Sequence, residues 1–407
     1  MTQTTAGAAV VELSVTGVAH GGWCVGREPG GRVVFVRHAL PGEQVSARIT
    51  EETATFARAE TVDVLMASPD RVTPPCPYAK PGGCGGCDWQ HASLAAQRRL
   101  KADVVGEQLR RIAGIDQPVT VEPVAGDQDG LGWRTRVRFT VGPDGAAGLL
   151  AHRSHEVVKV ADCLIAHPLV EAAGVAAQHW ESAASVEVAV SPAAGQRVVT
   201  TAGERGHRRR HSGPSHLRHV AAGRDWRVGA ATFWQVHPGA ADLLATAVAD
   251  ALCPVPGDVV LDLYCGAGLF AGTLAAAVGP HGTVIGVDTD RMAVRDARHN
   301  LQDFPWARVH VGEAAEALAR GGWPPATLAV LDPPRTGVTR AVIERLVAPA
   351  ALRRVAYVSC DPATLARDIA VFARLGWQLA GLRAFDIFPM THHVECLAVL
   401  TRAGAPG

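Results

Sequence analysis

From about residue 226 onward the chain alternates two patterns. Short apolar runs rich in β-formers, "VVLDLY", "TVIGVD", "ARVHVG", "LAVLDPP" and "RVAYVSC", are separated by stretches with helical periodicity. That alternation predicts a doubly wound α/β sheet for residues 226–407. In such a sheet, ligand and reaction-centre residues gather at the ends of the strands. The residues that close each run therefore matter most.

The first run ends in "YCGAG" (264–268), a glycine turn that opens a helix, and glycine there lets a ligand approach the backbone. The next strand ends at Asp288, 22 residues after Gly266, where a carboxylate can bind ribose hydroxyls. The full G-x-G-x-x-G of pyrophosphate cofactors is missing. A nucleoside without phosphates, such as S-adenosylmethionine, fits better. In "LDPPR" (331–335), Asp332 reads either as a reaction-centre carboxylate or as a helix cap before prolines.

In "YVSCDP" (357–362), Pro362 suits the first position of a helix and Asp361 the cap before it. Cys360 would then face the positive end of a helix dipole, which lowers a thiol pKa and favours the thiolate. The other reading of Cys360 is a small buried hydrophobe.

Upstream, residues 9–66 read as five short strands with Gly and Pro turns, a small β-barrel of OB-like type that suits an RNA platform. Residues 68–87 are too rich in Pro and Gly for a regular element. A helix is expected over 91–113, with Arg98, Arg99, Lys101, Arg110 and Arg111 on its polar surface. Residues 120–225 are mixed and strand-leaning. They include the basic stretch "GERGHRRRHSGPSHLRH" (203–219), which reads as a solvated loop or as a phosphate grip. Trp89, Phe233 and Trp234 read as core side chains or as stacking platforms for bases. Three parts result: a barrel (1–68), a central domain (69–225) and an α/β domain (226–407).

Lys+Arg 39 against Asp+Glu 39 leaves no net charge, so the total identifies no partner. No secretory leader and no apolar run near 18 residues is present, which predicts a soluble, cytoplasmic protein, expected to be a monomer. Nine cysteines, an odd number, argue against a disulfide framework. Three of them, in Cys76-x7-Cys84-x2-Cys87, suggest a metal, with the solitary Cys163 as fourth ligand. Four thiolates hold either zinc or an iron–sulfur cluster, and the distant fourth ligand favours the cluster. Cys24, Cys253, Cys265 and Cys396 read as structural.

"TFWQVHPGAADLL", "LDLYCGAGLF", "GVDTD", "LDPPRTGV", "YVSCDP" and "MTHHVECLAVL" occur in an order and spacing that resembles the uracil-5 RNA methyltransferase family, which makes 5-methyluridine in ribosomal and transfer RNA. The N-terminal barrel resembles a TRAM domain. The resemblance implies that Cys360 is a nucleophile, that Glu395 is a base, and that Asp332 lies between cofactor and uracil. It places Gln235, Tyr264, Asp288 and Glu313 at S-adenosylmethionine. It makes the four-cysteine centre a [4Fe–4S] cluster on Cys76, Cys84, Cys87 and Cys163, and it favours ribosomal (23S) over transfer RNA. The sequence departs from the family pattern at His237, Leu269 and Asp361. Two rival readings are an iron–sulfur RNA-binding or redox protein with an inactive methyltransferase fold, and a small-molecule methyltransferase.

Overall fold

The computed structural model describes residues 9–28, 30–127 and 129–404, so the outermost residues of the expected first and last parts lie outside it. Five strands, β1 (Val10–Ala19), β2 (Trp23–Arg27), β3 (Val33–Arg37), β4 (Gln44–Glu52) and β5 (Phe56–Met66), close into a barrel in the order β1-β2-β3-β5-β4. Alternate residues along the strands, among them Leu13, Val15, Val34, Val36, Val45 and Ala47, fill its interior. That is the period of two that a strand imposes. Closure leaves no strand edge unpaired.

No named helix or strand lies between Met66 and Leu94. Helix α1 (Leu94–Gln108) starts where the Ser93 side chain accepts the Ala96 N–H, and it continues as one π-helical turn, Leu109–Ala113, to Gly114 at φ 68°. The helix buries Val105 and Leu109 in the same core as Leu365 and Phe372 of the C-terminal domain. Lys101 lies on that face, four residues before Val105. The expectation that Lys101 is on the polar surface is therefore wrong: it is fully buried, and Asp386 supplies its counter-charge.

Strand β6 (Val121–Pro123) leaves for the C-terminal sheet. The central domain is an antiparallel sheet of β7 (Arg136–Val141), β8 (Ala147–Leu150), β9 (Val157–Val158), β10 (Ser185–Ser191), β11 (Gln196–Ala202) and β12 (Arg208–Ser212), in the order β12-β11-β10-β7-β8-β9, with the short helix α2 (Pro168–Glu171). The basic stretch is thus not a loop. It forms the exposed edge strand β12 and the start of β13 (His216–Ala221), which pairs with β14 (Arg224–Gly229). Ladder bonds to β11 outweigh the polar composition there.

The C-terminal part runs α3 (Ala240–Leu252), β15 (Val259–Leu263), α4 (Leu269–Val278), β16 (Thr283–Asp288), α5 (Arg291–Asn300), β17 (Ala307–Val311), α6 (Ala314–Arg320), β18 (Leu328–Leu331), α7 (Arg340–Val347), β19 (Arg354–Ser359), α8 (Pro362–Arg374), β20 (Trp377–Asp386) and β21 (Glu395–Arg402). The sheet order is β17-β16-β15-β18-β19-β21-β20-β6, parallel from β17 to β19, with β21 antiparallel to both neighbours. Val260, Val284 and Leu328 face one core with α3, α4 and α5. Leu261, Ile285 and Ala329 face the other, with α6, α7, α8 and α1. Both faces are covered, as a parallel sheet requires.

Candidate active site at the carboxyl edge of the sheet

Strand order sets the line-up of the site. Read across the sheet, the residues at one edge are Glu313 after β17, Asp288 ending β16, Tyr264 after β15, Asp332 after β18, Cys360 after β19 and Glu395 opening β21. Ser359 pairs with Cys396, so Cys360 and Glu395 are opposite one another, one residue beyond the last paired residues of the two strands. Residues 35 apart in sequence thus become neighbours (395 − 360).

Cys360 is followed by the expected cap. Asp361 Oδ1 accepts the Thr364 N–H at 2.8 Å, and Pro362 occupies the first turn of α8. The expected lowering of the thiol pKa is not found. Burial pushes the Cys360 thiol up to about 11, the Glu395 carboxyl adds to the rise, and the Arg335 guanidinium works against it. Desolvation here outweighs the helix terminus. Glu395 is raised well above the carboxylate range by burial and then by Asp332, while Arg335 works against the rise. Asp332 is raised to about 7 by burial and by Asp288. The site thus sets a buried thiol opposite a buried carboxyl.

At the other end of the line, Tyr264 takes φ 68°, a left-handed conformation rare for an aromatic residue. Two bonds hold it there, as Tyr264 N–H and Cys265 N–H both donate to the Val287 carbonyl. Gly266 follows at φ 52°, with open space where a Cβ would stand. Its N–H donates to Asp288 Oδ2 at 2.8 Å, and the other Asp288 oxygen accepts the Asp290 N–H at 2.8 Å. Glu313 is exposed at the N-terminus of α6. Gln235 is buried in the connector between β14 and α3. Phe233, two residues earlier, is 62% exposed, whereas Trp89 and Trp234 are core. Leu269 is buried at the start of α4, and His237 lies 3.8 Å from Asp127.

Three site features escape the sequence reading. Asp262, inside β15, is fully buried with Oδ2 bonded to the Ala271 N–H and Oδ1 without a partner. Burial raises its carboxyl to about 8. Arg335, the last letter of "LDPPR", bears on both Cys360 and Glu395 and lies 3.2 Å from His393 Nε2. His20 of the barrel reaches Asp361, and nothing local in the sequence signals it.

The cysteine loop is brought to Cys163 by the fold. The Ala161 N–H donates to the Tyr78 hydroxyl at 3.1 Å, and Cys84 makes a bridge to Ala151. Cys76, Cys84, Cys87 and Cys163 are near enough for their charges to act on one another. Gly86 N–H donates to Cys84 Sγ at 3.4 Å and Gln90 Nε2 to Cys87 Sγ at 3.2 Å. Yet no three His, Cys, Asp or Glu side chains among the described residues converge as a metal ion requires. The expected four-cysteine metal centre is therefore not found among the described residues. Among the cysteines read as structural, Cys24, Cys265 and Cys396 are buried and Cys253 is exposed. No helix among the described residues is long and apolar enough to cross a membrane.

Comparison with known proteins adds three matches along the chain. The TRAM domain pattern matches residues 8–62, a methyltransferase domain pattern residues 254–320, and the family described as tRNA (Uracil-5-)-methyltransferase residues 326–403. An RNA methyltransferase of uncharacterized function from Streptomyces avermitilis is 47% identical over 96% of this chain and 98% of its own. Another from Bifidobacterium longum is 35% identical over 96% of each chain. Among solved structures, Pyrococcus abyssi tRNA (uracil-54, C5)-methyltransferase in complex with S-adenosyl-L-homocysteine has a TM-score of 0.72, with 21% identity, over 96% of this chain and 99% of that one. At that identity the likeness is one of fold.

Proposed function

The chain belongs to the uracil-5 RNA methyltransferase family, whose members depend on S-adenosylmethionine, and from that premise we propose that Cys360 and Glu395 methylate C5 of a uridine as nucleophile and base. One observation carries the reading: the two side chains face each other across β19 and β21, beside Asp332, at the ligand edge of the sheet.

The residues present suit the cofactor. Open space above Gly266, the Asp288 carboxylate at a strand end and the partnerless Asp262 oxygen make a polar cradle. Gln235, Tyr264, Asp288, Glu313 and Asp332 would hold S-adenosylmethionine. When bound, it supplies an electrophilic methyl group.

The chain's residues do the rest. Uracil C5 is too poor a nucleophile to accept a methyl group unaided. Cys360 Sγ, having given up its proton, bonds to C6, and the ring electrons move onto C5 and the C4 carbonyl as an enolate. C5 then attacks the methyl group and carries both it and a hydrogen. Glu395, as carboxylate, takes that proton from C5, the C5–C6 double bond reforms, and the Cys360 thiolate leaves. Burial raises the pKa of both groups, so the Cys360 thiol must release its proton to solvent as substrate binds. Arg335 is the cation placed to favour it.

Two finer parts complete the proposal. The substrate is ribosomal RNA of the 23S type; transfer RNA is the second reading, favoured by the likeness in fold to an enzyme of that name. Cys76, Cys84, Cys87 and Cys163 would hold a [4Fe–4S] cluster tying the loop to the central sheet, supported by four thiols and by N–H donors aimed at two of them. Residues 1–68, 69–225 and 226–407 serve as RNA platform, cluster domain and catalytic domain.

The test is purified protein with methyl-labelled S-adenosylmethionine and RNA from a deletion strain. Label is expected as 5-methyluridine in ribosomal RNA. Label in transfer RNA moves the substrate to the second reading, and no label in either overturns the activity.

A further inference from the structure

Residues 387–394 join β20 to β21 and lead directly into Glu395. Strand β21 pairs with β20 from Glu395 onward, opposite Phe385, but with β19 only from Cys396. On the side that faces Cys360, the aim of Glu395 therefore depends on the path of the chain that enters it.

That path is held from outside the sheet. Met390 sits at φ 66°, a left-handed conformation that a side chain of this size rarely adopts. Its carbonyl accepts the Asp88 N–H at 3.0 Å and the Trp89 N–H at 3.1 Å. Its own N–H donates to Gln97 Oε1 at 2.8 Å. Both backbone polar groups of the strained residue are thus bonded to residues 88–97. Gln97 is fully buried, and its Nε2 donates to the Trp89 and Ala92 carbonyls at 3.1 and 2.9 Å. Those two acceptors orient the amide so that its oxygen faces Met390.

A second anchor follows two residues later. The Asp88 carboxylate accepts the His392 backbone N–H at 3.1 Å and lies 2.6 Å from His392 Nδ1. The ring bond needs only the Nδ1 proton of a neutral imidazole. On the other side of Met390, Lys101 donates to the Phe388 carbonyl at 3.0 Å. Alternate residues 388, 390 and 392 are each fixed by the segment that runs from Asp88 into α1. The Met390 side chain packs with Trp133 and Ile165, against Cys87 and Cys163.

We propose that Asp88 and Gln97 are positioning residues for the base: they clamp Met390 and His392, and thereby aim Glu395 at the substrate carbon opposite Cys360. The proposal rests on the reading of Glu395 as base. Its consequence is specific to one step. With the clamp broken, Cys360, held by β19 and the cap of α8, still bonds to C6, and C5 still takes the methyl group. Transfer of the C5 proton to Glu395, which reforms the C5–C6 double bond and expels Cys360 Sγ, is the step that slows.

The test uses full-length protein purified without oxygen, RNA from a deletion strain and methyl-labelled S-adenosylmethionine, chased with unlabelled cofactor. Rapid quenching and denaturing gels follow the labelled protein–RNA adduct. Its breakdown is counted per adduct formed, so misfolded molecules do not enter the rate. Gln97→Met, similar in size but unable to bond Met390, should slow breakdown roughly ten- to hundredfold, with adduct formation changed less than about threefold. Asp88→Ala should do the same. Gln97→Asn, one methylene too short to reach Met390, covers the case where Gln97→Met folds poorly. Asp88→Asn keeps an acceptor for His392 and should restore breakdown to near the parent rate.

Breakdown at the parent rate in a Gln97 variant or in Asp88→Ala overturns the proposal. So does equal slowing of formation and breakdown, or the loss of all adduct in every variant, since the clamp would then serve the fold alone. Glu395→Gln separates the two failures. Rapid breakdown in that variant overturns the reading of the base, whereas a stall there with normal breakdown in the Gln97 variants overturns the clamp alone.

Discussion

The Nζ of Lys101 lies 2.5 Å from Oδ1 of Asp386, with both side chains sealed from solvent. Nζ also donates to the Phe388 carbonyl at 3.0 Å. The pair pins α1 to the segment that leads from β20 to the motif carrying Glu395.

Lys101→Met should leave Asp386 buried and uncompensated, at a cost of about 3–5 kcal/mol. Urea unfolding of the variant checks this. Lys101→Met with Asp386→Leu should recover most of the loss, since neither charge then remains. A single variant as stable as the parent would mean that water reaches the pair.

Asp288 holds Gly266 through its Oδ2, and in the proposed reading it binds the ribose of the cofactor. Asp288→Ala should weaken S-adenosylmethionine binding roughly 10- to 100-fold, the loss of charge-assisted hydrogen bonds. Titration calorimetry measures it. Unchanged affinity would mean that the carboxylate serves the turn alone.

In the proposed mechanism Cys360 makes the bond to C6 and Glu395 lets it break. Cys360→Ala should abolish methylation and any covalent protein–RNA species. Glu395→Gln should permit attack and methyl transfer but stall release, leaving an RNA-linked band on denaturing gels that carries methyl label. The band should vanish in the double variant. Normal turnover by Glu395→Gln would remove the base from the mechanism.

Asp262 has its folded-state pKa raised to about 8 from an ordinary 3.8, chiefly by burial. Below about pH 4 the carboxyl is protonated in both folded and unfolded chains, and its contribution to stability is fully present. As pH rises toward about 8 only the unfolded chain ionises, and that contribution is lost. Asp262→Asn cannot titrate. Its stability relative to the parent should therefore improve across this window by a few kcal/mol, read from unfolding midpoints in the absence of cofactor. A difference independent of pH would mean that Asp262 is ionised in the fold.

Protein purified without oxygen should be brown and carry about four irons per chain. Cys163→Ser should lower iron content despite its distance in sequence from the other three cysteines. Zinc in place of iron, or full iron in the variant, would overturn the ligand set.

The barrel strands and the five parallel strands are legible in the sequence because each is a short apolar or alternating run bounded by Gly, Pro or Asp. Period and punctuation are local properties. The basic edge strand β12 is not legible, since "RRRHS" pairs through backbone groups that any sequence has, and only β11 beside it makes it a strand. Lys101 misleads for the opposite reason: a lysine in a mixed helix reads as solvated, and its partner is 285 residues away.

At the site the division is sharper. The residue types at each strand end, cysteine, aspartate, glycine and glutamate, follow from the sequence, as does the cap that Asp361 provides. Their order across the sheet does not, because the insertion of β21 between β19 and β20 is a matter of topology, and that insertion sets Glu395 opposite Cys360. The protonation state does not follow either. A helix terminus favours thiolate, but burial of the thiol beside buried carboxyls reverses it, and burial exists only once distant segments have packed.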